Sequence, residues 1–453
     1  MEREQRIDRK RLLFDNKALA ALILPLIVEQ LLAVLVGMAD SIMVASVGET
    51  AVSGVSLVDN IMVLFINLFA ALATGGAVIA GQYLGQRNEK QSCRAATQLV
   101  WFITFMAVII MALIYCAKWF ILHVVFGQID GEVMRHANTY LMIVTASIPF
   151  IALYNAGAAI FRVMGNSRIS MQVAIIMNVI NVCGNAFLIF GLHRGTEGVA
   201  IPTLVSRITA AVLIIALLCR QHWQIHIDKP FHYRPDWTMI KRILGIGIPN
   251  GMENAMFQLG KIIVLSLVST FGTYAIAANA VCNAVANFQI LPGMAINLAI
   301  TAVIARCIGA GEYVQAEYFT KKLLRLVYIC MWGINIVILM LAPFILWAYN
   351  LSDVTAQTAR TILYFHAASA CVIWPVAFSL PSTLRAAGDV KVTMIISLAS
   401  MWIFRIIFSY VLGRYFGFGV LGVWIAMVID WCVRALCMVL RYRSGKWKLI
   451  HSI

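Results

Sequence analysis

The amino-acid sequence predicts an all-α protein that crosses a membrane many times, and three observations lead to this fold class. The chain of 453 residues is 62% hydrophobic and only 12% charged, with a mean hydropathy of +0.87, whereas a soluble domain carries about 25% charged residues. Its apolar runs are long enough for helices that cross a ~30 Å hydrocarbon core, and they do not alternate as barrel strands do. The third observation is an internal repeat.

Twelve apolar spans can be placed along the chain. They lie near 18–45, 55–84, 95–116, 138–161, 170–191, 198–219, 243–270, 275–305, 326–347, 361–384, 392–412 and 420–440. The residues before the first span are charged and lack an apolar core, so we expect a tail and not a signal peptide. The predicted organisation is an N-terminal tail at 1–17, an N-lobe with helices one to six at 18–219, an interlobe linker at 220–242, a C-lobe with helices seven to twelve at 243–440, and a C-terminal tail at 441–453.

The distribution of lysine and arginine predicts the orientation. If the N-terminus lies in the cytoplasm, the cytoplasmic segments hold 26 of the 35 basic residues and the outside segments hold five. This positive-inside asymmetry accounts for the net charge of +15, so the charge does not indicate a nucleic-acid partner. We expect a multi-pass protein of the cytoplasmic membrane with both termini and the interlobe linker in the cytoplasm.

The two halves of the chain repeat each other at an offset of 223 or 224 residues. Four motifs recur at this spacing: Pro25-x-x-x-Glu29-Gln30 as Pro249-x-x-x-Glu253-Asn254, Gly48 as Gly272, Arg162-x-x-Gly165 as Arg385-x-x-Gly388, and Gly198-Val199 as Gly422-Val423. Each half holds six spans, an even number, so both halves enter the membrane in the same sense. The two lobes are therefore predicted to be related by a pseudo-twofold axis along the membrane normal.

Missing motifs argue against an enzyme. The chain has no G-x-x-x-x-G-K-[ST] run for ATP, so any energy comes from a gradient or from another subunit. Only His366 of the eight histidines falls clearly inside a span, and no H-E-x-x-H motif is present. The ten cysteines include no C-x-x-C pair, so we expect reduced thiols in helix packing, with no disulfide, no metal site and no cofactor.

Carboxylates inside the spans are the first functional candidates, because an ionisable side chain costs about 2.5–3.5 kcal/mol to insert. Glu29 lies near the middle of span one, and Glu253 lies at the equivalent depth of span seven. Asp40 follows Glu29 by eleven residues, which places it on the same helix face and ~16 Å nearer the outside. The second half has Val264 at the Asp40 position, so this feature belongs to the N-lobe. The alternatives are that Asp40 merely ends a helix and that both glutamates brace proline kinks.

Amides and arginines form two further groups. Span five carries three asparagines on one helical stripe, which serve either a site or helix packing: Asn178, Asn181 and Asn185. Arg405 and Asp430 lie at similar depths on consecutive antiparallel helices, with Arg434 one turn further in. This spacing predicts an ion pair in the C-lobe, with a neutralised packing pair as the structural interpretation.

Taken together, five motifs of the chain resemble the multidrug and toxic compound extrusion (MATE) family, in its bacterial DinF-related branch. They are Gly37-Met38-Ala39-Asp40, Gln82-Tyr83-Leu84-Gly85, Arg162-Val163-Met164-Gly165-Asn166, Asn178-Val179-Ile180-Asn181 and Leu384-Arg385-Ala386-Ala387-Gly388-Asp389. The resemblance implies twelve helices in two lobes and export, by antiport against inward H⁺ or Na⁺, of bulky and often cationic or amphipathic drugs. It also implies a role in antibiotic resistance, and we expect a monomer in the lipid bilayer.

The resemblance also implies positions for the coupling ion. Well-studied members use an Asp on helix one, an Asn and an Asp on helix five and a Thr on helix six. Those places are occupied here by Asp40, Asn181, Asn185 and Thr203, with Asn178 on the same stripe. Because Asn185 replaces the second acid, the resemblance favours a single protonation at Asp40 over tight Na⁺ binding. Phe257 stands where another branch has an acid on helix seven.

The predicted substrate cavity contains Glu29, Gln30, Glu253 and Asn254, because transporters built from repeats bind cargo near the midplane. These acids favour cationic substrates. The alternative is a flippase for lipid-linked oligosaccharides or lipids of the same superfamily, whose cavity would carry several cationic residues.

Overall fold

The computed structural model describes residues 12–127, 129–227, 233–349 and 351–450. The outermost parts of both predicted tails, and 228–232 of the predicted interlobe linker, lie outside the described residues. Within the described ranges the chain folds into helices joined by short turns and contains no strand. The prediction of an all-α membrane protein is confirmed.

Six long helical segments make up the first half, and we number them in chain order. They are α1 Asn16–Ala45, α2 Glu49–Gly85, α3 Glu89–Cys116, α4 with the two parts Gly131–Thr145 and Ile148–Val163, α5 Ser167–Gly191, and α6 Glu197–Leu218. The two parts of α4 form one span bent by 47°. A short helical turn, Lys118–Phe120 continued by Ile121–Val125, follows α3.

The second half repeats this arrangement. It consists of α7 Trp237–Ser269, α8 Thr273–Gly309, α9 Tyr313–Ala348, α10 with the two parts Asp353–Val372 and Pro375–Ala386, α11 Val390–Tyr415, and α12 Gly419–Arg443. Length and apolar composition mark eleven of the segments as spans when each bent segment counts once. The remaining segment, α7, is long enough at 33 residues and is the repeat equivalent of α1.

Irregular features of the helices recur at the repeat spacing as well. The bend of α4 has its counterpart in α10, which bends by 58° between its two parts. Both α5 and α11 end in a wide π-helical turn, Phe187–Gly191 in the first and Val411–Tyr415 in the second. In α11 a further π-helical stretch, Ser400–Ile407, contains Arg405. Since π-turns place side chains off the regular helical stripe, the direction of Arg405 was not predictable from a 100° period.

Repeated glycines mark the turns between helices. Gly48 before α2 and Gly272 before α8 have φ angles of 138° and 103°, and Gly165 and Gly388 have φ angles of 85° and 91°. Residues with a side chain rarely adopt these positive φ angles, whereas glycine does so at no steric cost because it has no Cβ. The repeated glycine motifs are therefore requirements of the backbone at equivalent turns.

The chain forms two compact units. One contains residues 20–251, and the other contains 252–450 together with 12–19. In the first unit α2 packs against α3 and both parts of α4. Near the beginning of α3, Arg94 forms an ion pair of 2.9 Å with Asp236 of the predicted interlobe linker. In the second unit α8 packs against α9 and α10, and Phe14 packs edge-on against Phe319.

Candidate functional site

In the first unit, α1, α5 and α6 bring Asp40, Asn185, Asn181 and Thr203 together. Asn185 Nδ2 donates to Asp40 Oδ1 at 2.8 Å, and Thr203 Oγ1 lies 3.0 Å from the amide of Asn181. Both asparagines and Thr203 are buried, whereas Asp40 is half-buried. The carboxyl group therefore sits at the edge of a buried amide cluster.

The amide of Asn181 fits both protonation states of Asp40. When its nitrogen donates to Thr203, its oxygen lies 2.9 Å from Asp40 Oδ1 and requires a proton on the carboxyl group. When the amide is turned round, its nitrogen donates to the two carboxylate oxygens at 2.9 and 3.2 Å, which suits the ionised acid. In that orientation the amide oxygen accepts from the Thr203 hydroxyl, which otherwise donates to the backbone oxygen of Val199. The amide of Asn181 can thus form hydrogen bonds with either form of the carboxyl group after a local rotation.

Helix α5 approaches α6 closely beside this cluster. A Cβ added at Gly184 would lie 2.7 Å from the Cβ of Pro202, the residue before Thr203. Glycine at this position therefore permits the contact that brings Thr203 to Asn181. Pro202 lies inside α6 and removes one backbone N–H from the helix.

A second charged group lies next to Asp40 and was missed by the sequence analysis. Tyr140 donates to Asp59 Oδ1 at 2.9 Å, and Arg207 donates to Ser147 Oγ at 2.8 Å. Asp40, Asp59 and Arg207 lie within electrostatic range of one another. The available signal was that Arg207 is one of only four basic residues inside the predicted spans. Asp59 lies close to the predicted beginning of span two, where a charge is not unusual.

The repeated glutamates are held by repeated arginines. Glu29 Oε1 accepts from Arg162 at 2.6 Å, Glu29 Oε2 accepts from Ser170 at 2.9 Å, and Tyr154 completes the group at 3.4 Å. In the second unit Glu253 Oε1 accepts from Arg385 at 2.7 Å. Two motifs that recur separately in the sequence thus form one ion pair in each unit. Both glutamates are buried at 7% exposure, so a cationic substrate would have to compete with an arginine for them.

The charged cluster of the second unit extends from Glu253 to Asp430. Arg434 lies 3.9 Å from Glu253 Oε1 and 3.4 Å from Asp430 Oδ1, and Ser400 also donates to Asp430 Oδ1. Arg405 Nη1 lies 4.0 Å from Asp430 Oδ2. The structure therefore brings the three predicted residues together, with Arg434 making the shorter contact to Asp430.

Three of the predicted site residues stand apart from these clusters. Asn178, Gln30 and Asn254 are half-buried, and none of their side chains makes a hydrogen bond to another described residue. Asn178 is on the stripe of Asn181 and Asn185 but is not part of the Asp40 group. Its predicted role in coupling, and the predicted roles of Gln30 and Asn254 in a substrate cavity, remain predictions.

Comparisons with known proteins agree with this architecture. The MatE family model matches the chain twice, at 25–187 and 249–411, so it detects the repeat at an offset of 224 residues. An uncharacterized transporter of Bacillus subtilis, YisQ, is 28% identical over 95% of this chain and 94% of its own length. A probable multidrug resistance protein of Thermotoga maritima, NorM, is 27% identical over 96% of this chain and 93% of its own length.

A solved structure shares the fold. The outward-facing conformation of a multidrug resistance MATE family transporter of the MOP superfamily has a TM-score of 0.88, at 20% identity over 96% of this chain and 97% of its own. The two family-model matches cover most of the chain in two equal halves. The chain belongs to the MatE family of multidrug and toxic compound extrusion transporters.

Proposed function

We propose that this protein exports drugs by antiport and that a proton carried by Asp40 couples the gradient to export. The observation that carries the proposal is the cluster in which amides can face either form of the Asp40 carboxyl group. Membership of the family and relatives named as multidrug resistance proteins support multidrug efflux. The absence of an ATP-binding motif from the sequence is consistent with a gradient as the energy source.

The preference for H⁺ over Na⁺ follows from the ligands offered to an ion. A bound metal cation needs several oxygen ligands, and Asn185 presents its amide nitrogen to Asp40. Asp59, the nearby second acid, is hydrogen-bonded to Tyr140 and faces the charge of Arg207. A change in the protonation of Asp40 alters the partners of Asn181 and Thr203, and it removes the hydrogen bond of 3.3 Å that Asn185 donates to Asn181 Oδ1.

The cargo, orientation and transport cycle complete the proposal. We propose bulky amphipathic cargo, cationic compounds included, moved by alternating access in a monomer in the bacterial cytoplasmic membrane. Both termini would lie in the cytoplasm, in line with the distribution of basic residues. No enzymatic activity is proposed, because the charged clusters form ion pairs and hydrogen bonds and offer no activated nucleophile with a base.

The decisive experiment is dye efflux from proteoliposomes. A cationic fluorescent dye is loaded, and efflux is recorded under an imposed pH gradient at equal sodium, then under a sodium gradient at equal pH. We expect efflux under the pH gradient and its loss in Asp40→Asn, because the amide cannot carry the proton. Asp353→Asn, at the exposed first turn of α10, is the matched control and should keep wild-type efflux. Efflux by Asp40→Asn at the wild-type rate and protein level would remove Asp40 from the mechanism.

A further inference from the structure

A cavity of about 260 Å³ lies within the unit of residues 252–450. Helices α7, α8, α11 and α12 line it, and its apolar part is made of aliphatic side chains and Met427. Within the described part of the chain no carboxylate lines this cavity. Its polar lining consists of two cations, three amides and one indole: Lys261, Arg405, Asn279, Asn283, Asn287 and Trp424.

The positive charge of the cavity is only partly neutralised by the described residues. Lys261 is exposed, and its ammonium group has no ion pair or hydrogen bond with another described residue. Arg405 is only loosely paired with Asp430, at 4.0 Å. The other carboxylate oxygen of Asp430, Oδ1, accepts hydrogen bonds from Ser400 and Arg434. Arg434 and Arg385 both contact Glu253, so three arginines share two carboxylates, and Lys261 contacts neither of them.

Phe257 holds these cations without neutralising them. Lys261 Nζ lies 5.2 Å from the centre of the Phe257 ring, and the guanidinium carbon of Arg405 lies 5.0 Å from it. The guanidinium of Arg434 lies 6.0 Å from the same ring. A cation over an aromatic face gains about 0.5–2 kcal/mol, much less than desolvation of a charge costs. An acid at position 257 would supply a counter-charge, whereas phenylalanine leaves that place to a ligand.

The amides of α8 add neutral donors to the same cavity, where Asn283 Nδ2 also donates to the backbone oxygen of Asn279 at 2.9 Å. They are spaced by four residues and therefore lie on one face of the helix. Asn279 Oδ1 accepts from Trp424 Nε1 at 3.1 Å, so the Asn279 NH₂ group remains available as a donor. Lysine and arginine are donors only. The polar lining therefore suits an acceptor with negative charge.

We propose that this cavity binds the anionic group of an amphipathic organic anion, a carboxylate or phosphate attached to an apolar body. The anion supplies the missing counter-charge to Lys261 and Arg405, and its apolar body contacts the aliphatic part of the lining. The proposal goes beyond gradient-driven export, because it names a cargo class with a negative charge. Binding is measured without a gradient, so its outcome is independent of the role of Asp40.

The test is a binding titration with full-length protein in neutral detergent. The probe is 11-(dansylamino)undecanoic acid, and its methyl ester is the matched uncharged probe. We expect the wild-type protein to bind the acid at least about tenfold more tightly than the ester, the size expected for a charge-assisted contact. Lys261→Gln should lose most of this preference. Lys241→Gln, an exposed lysine on the same helix, should keep it.

Charge reversal gives a result that a folding defect cannot produce. Lys261→Glu should weaken binding of the acid further and create binding of the trimethylammonium analogue of the probe. Asn283→Ala keeps both charges and should reduce affinity for the acid less than Lys261→Gln does. Equal binding of acid and ester by the wild type, or unchanged preference in both Lys261 variants, would overturn the proposal.

A competitor distinguishes the source of the anionic group. If lysophosphatidic acid displaces the bound probe, the cavity also accepts phosphate headgroups of lipids. If it does not, the cavity is restricted to small organic carboxylates. Either result supports an anion site, provided that the wild type prefers the acid and Lys261→Gln does not.

Discussion

Asp40 receives hydrogen bonds from amides, and in the proposed mechanism this choice of partners favours a proton over a sodium ion. Asn185 Nδ2 lies 2.8 Å from Asp40 Oδ1, in a place where the resemblance to the family implies a second acid. An amide of this kind donates to a carboxylate but adds no negative charge. A proton needs only the single carboxylate of Asp40. A sodium ion would need several oxygen ligands, and the neighbouring amide nitrogen of Asn185 supplies none.

The first prediction follows from restoring the second acid. Asn185→Asp places two carboxylates within hydrogen-bonding distance, and like charges so close cannot both ionise without a cation between them. We expect this variant to show dye efflux under a sodium gradient at equal pH, where the wild type shows none. The measurement is the proteoliposome assay with the two gradients. Asn185→Ala is the control that removes the amide without adding charge and should gain no sodium response. A variant Asn185→Asp driven by protons alone would contradict the assignment of this residue.

Helices α5 and α6 provide the geometry of the Asp40 site, because they approach each other closely beside it. Gly184 allows the backbone of α5 to contact Pro202, and Thr203 follows at once in α6. Helix packing in membranes relies on small residues for such close approaches. The geometry of the site therefore depends on the separation of α5 and α6 as well as on its own polar side chains.

The second prediction compares two glycines in helix interiors. In Gly184→Ala the new Cβ lies 2.7 Å from Pro202 Cβ, whereas a Cβ at Gly333 meets nothing within 4 Å. We expect Gly184→Ala to lose about 1–3 kcal/mol of stability through overpacking and to lose proton-driven efflux. Gly333→Ala should be neutral or gain about 0.5–1 kcal/mol. Thermal unfolding in detergent and dye efflux measure both effects. Equal stability of the two variants would show that α5 and α6 are not in close contact at Gly184.

Sequence analysis anticipated the helices better than the contacts between them. Long apolar runs and the repeat at 224 residues define twelve segments, because burial in lipid imposes one secondary structure on the whole chain. Asp59 was missed because a hydropathy window begins span two at its apolar part, whereas α2 already begins at Glu49 after a glycine with positive φ. The pairing of Glu29 with Arg162 depends on helix packing, which a single sequence does not specify. Lys261 was not predicted as a site residue, because the carboxylates inside the spans indicated a cationic cargo.

At the scale of the whole molecule, each unit contains the same glutamate–arginine ion pair. Glu29 with Arg162 and Glu253 with Arg385 have N–O distances of 2.6 and 2.7 Å. Each glutamate follows by four residues a proline that lies inside α1 or α7. The pair joins this helix to the end of the fourth helix in its unit. The geometry favours a brace for the two proline-containing helices over a free carboxylate that waits for a cation.

The last prediction separates these two roles by replacing both acids. Glu29→Gln with Glu253→Gln leaves Arg162 and Arg385 unpaired, and breaking a buried ion pair costs about 3–5 kcal/mol. If the pairs are braces, efflux of a cationic dye and of a neutral dye should fall by similar factors, and the thermal unfolding temperature should fall. If the carboxylates contact cargo, only the cationic dye should bind more weakly.

Matched substitutions at exposed glutamates control for the loss of charge. Glu49→Gln with Glu89→Gln removes two carboxylates from the first turns of α2 and α3, where neither is buried. This control should keep the stability and both dye activities of the wild type, because surface charges contribute little. The brace model also requires that restoring the pair with opposite polarity, Glu29→Arg with Arg162→Glu, recovers more protein than Glu29→Arg alone. Selective loss of cationic-dye binding in a double glutamine variant of unchanged stability would exclude the brace and return both acids to the substrate cavity.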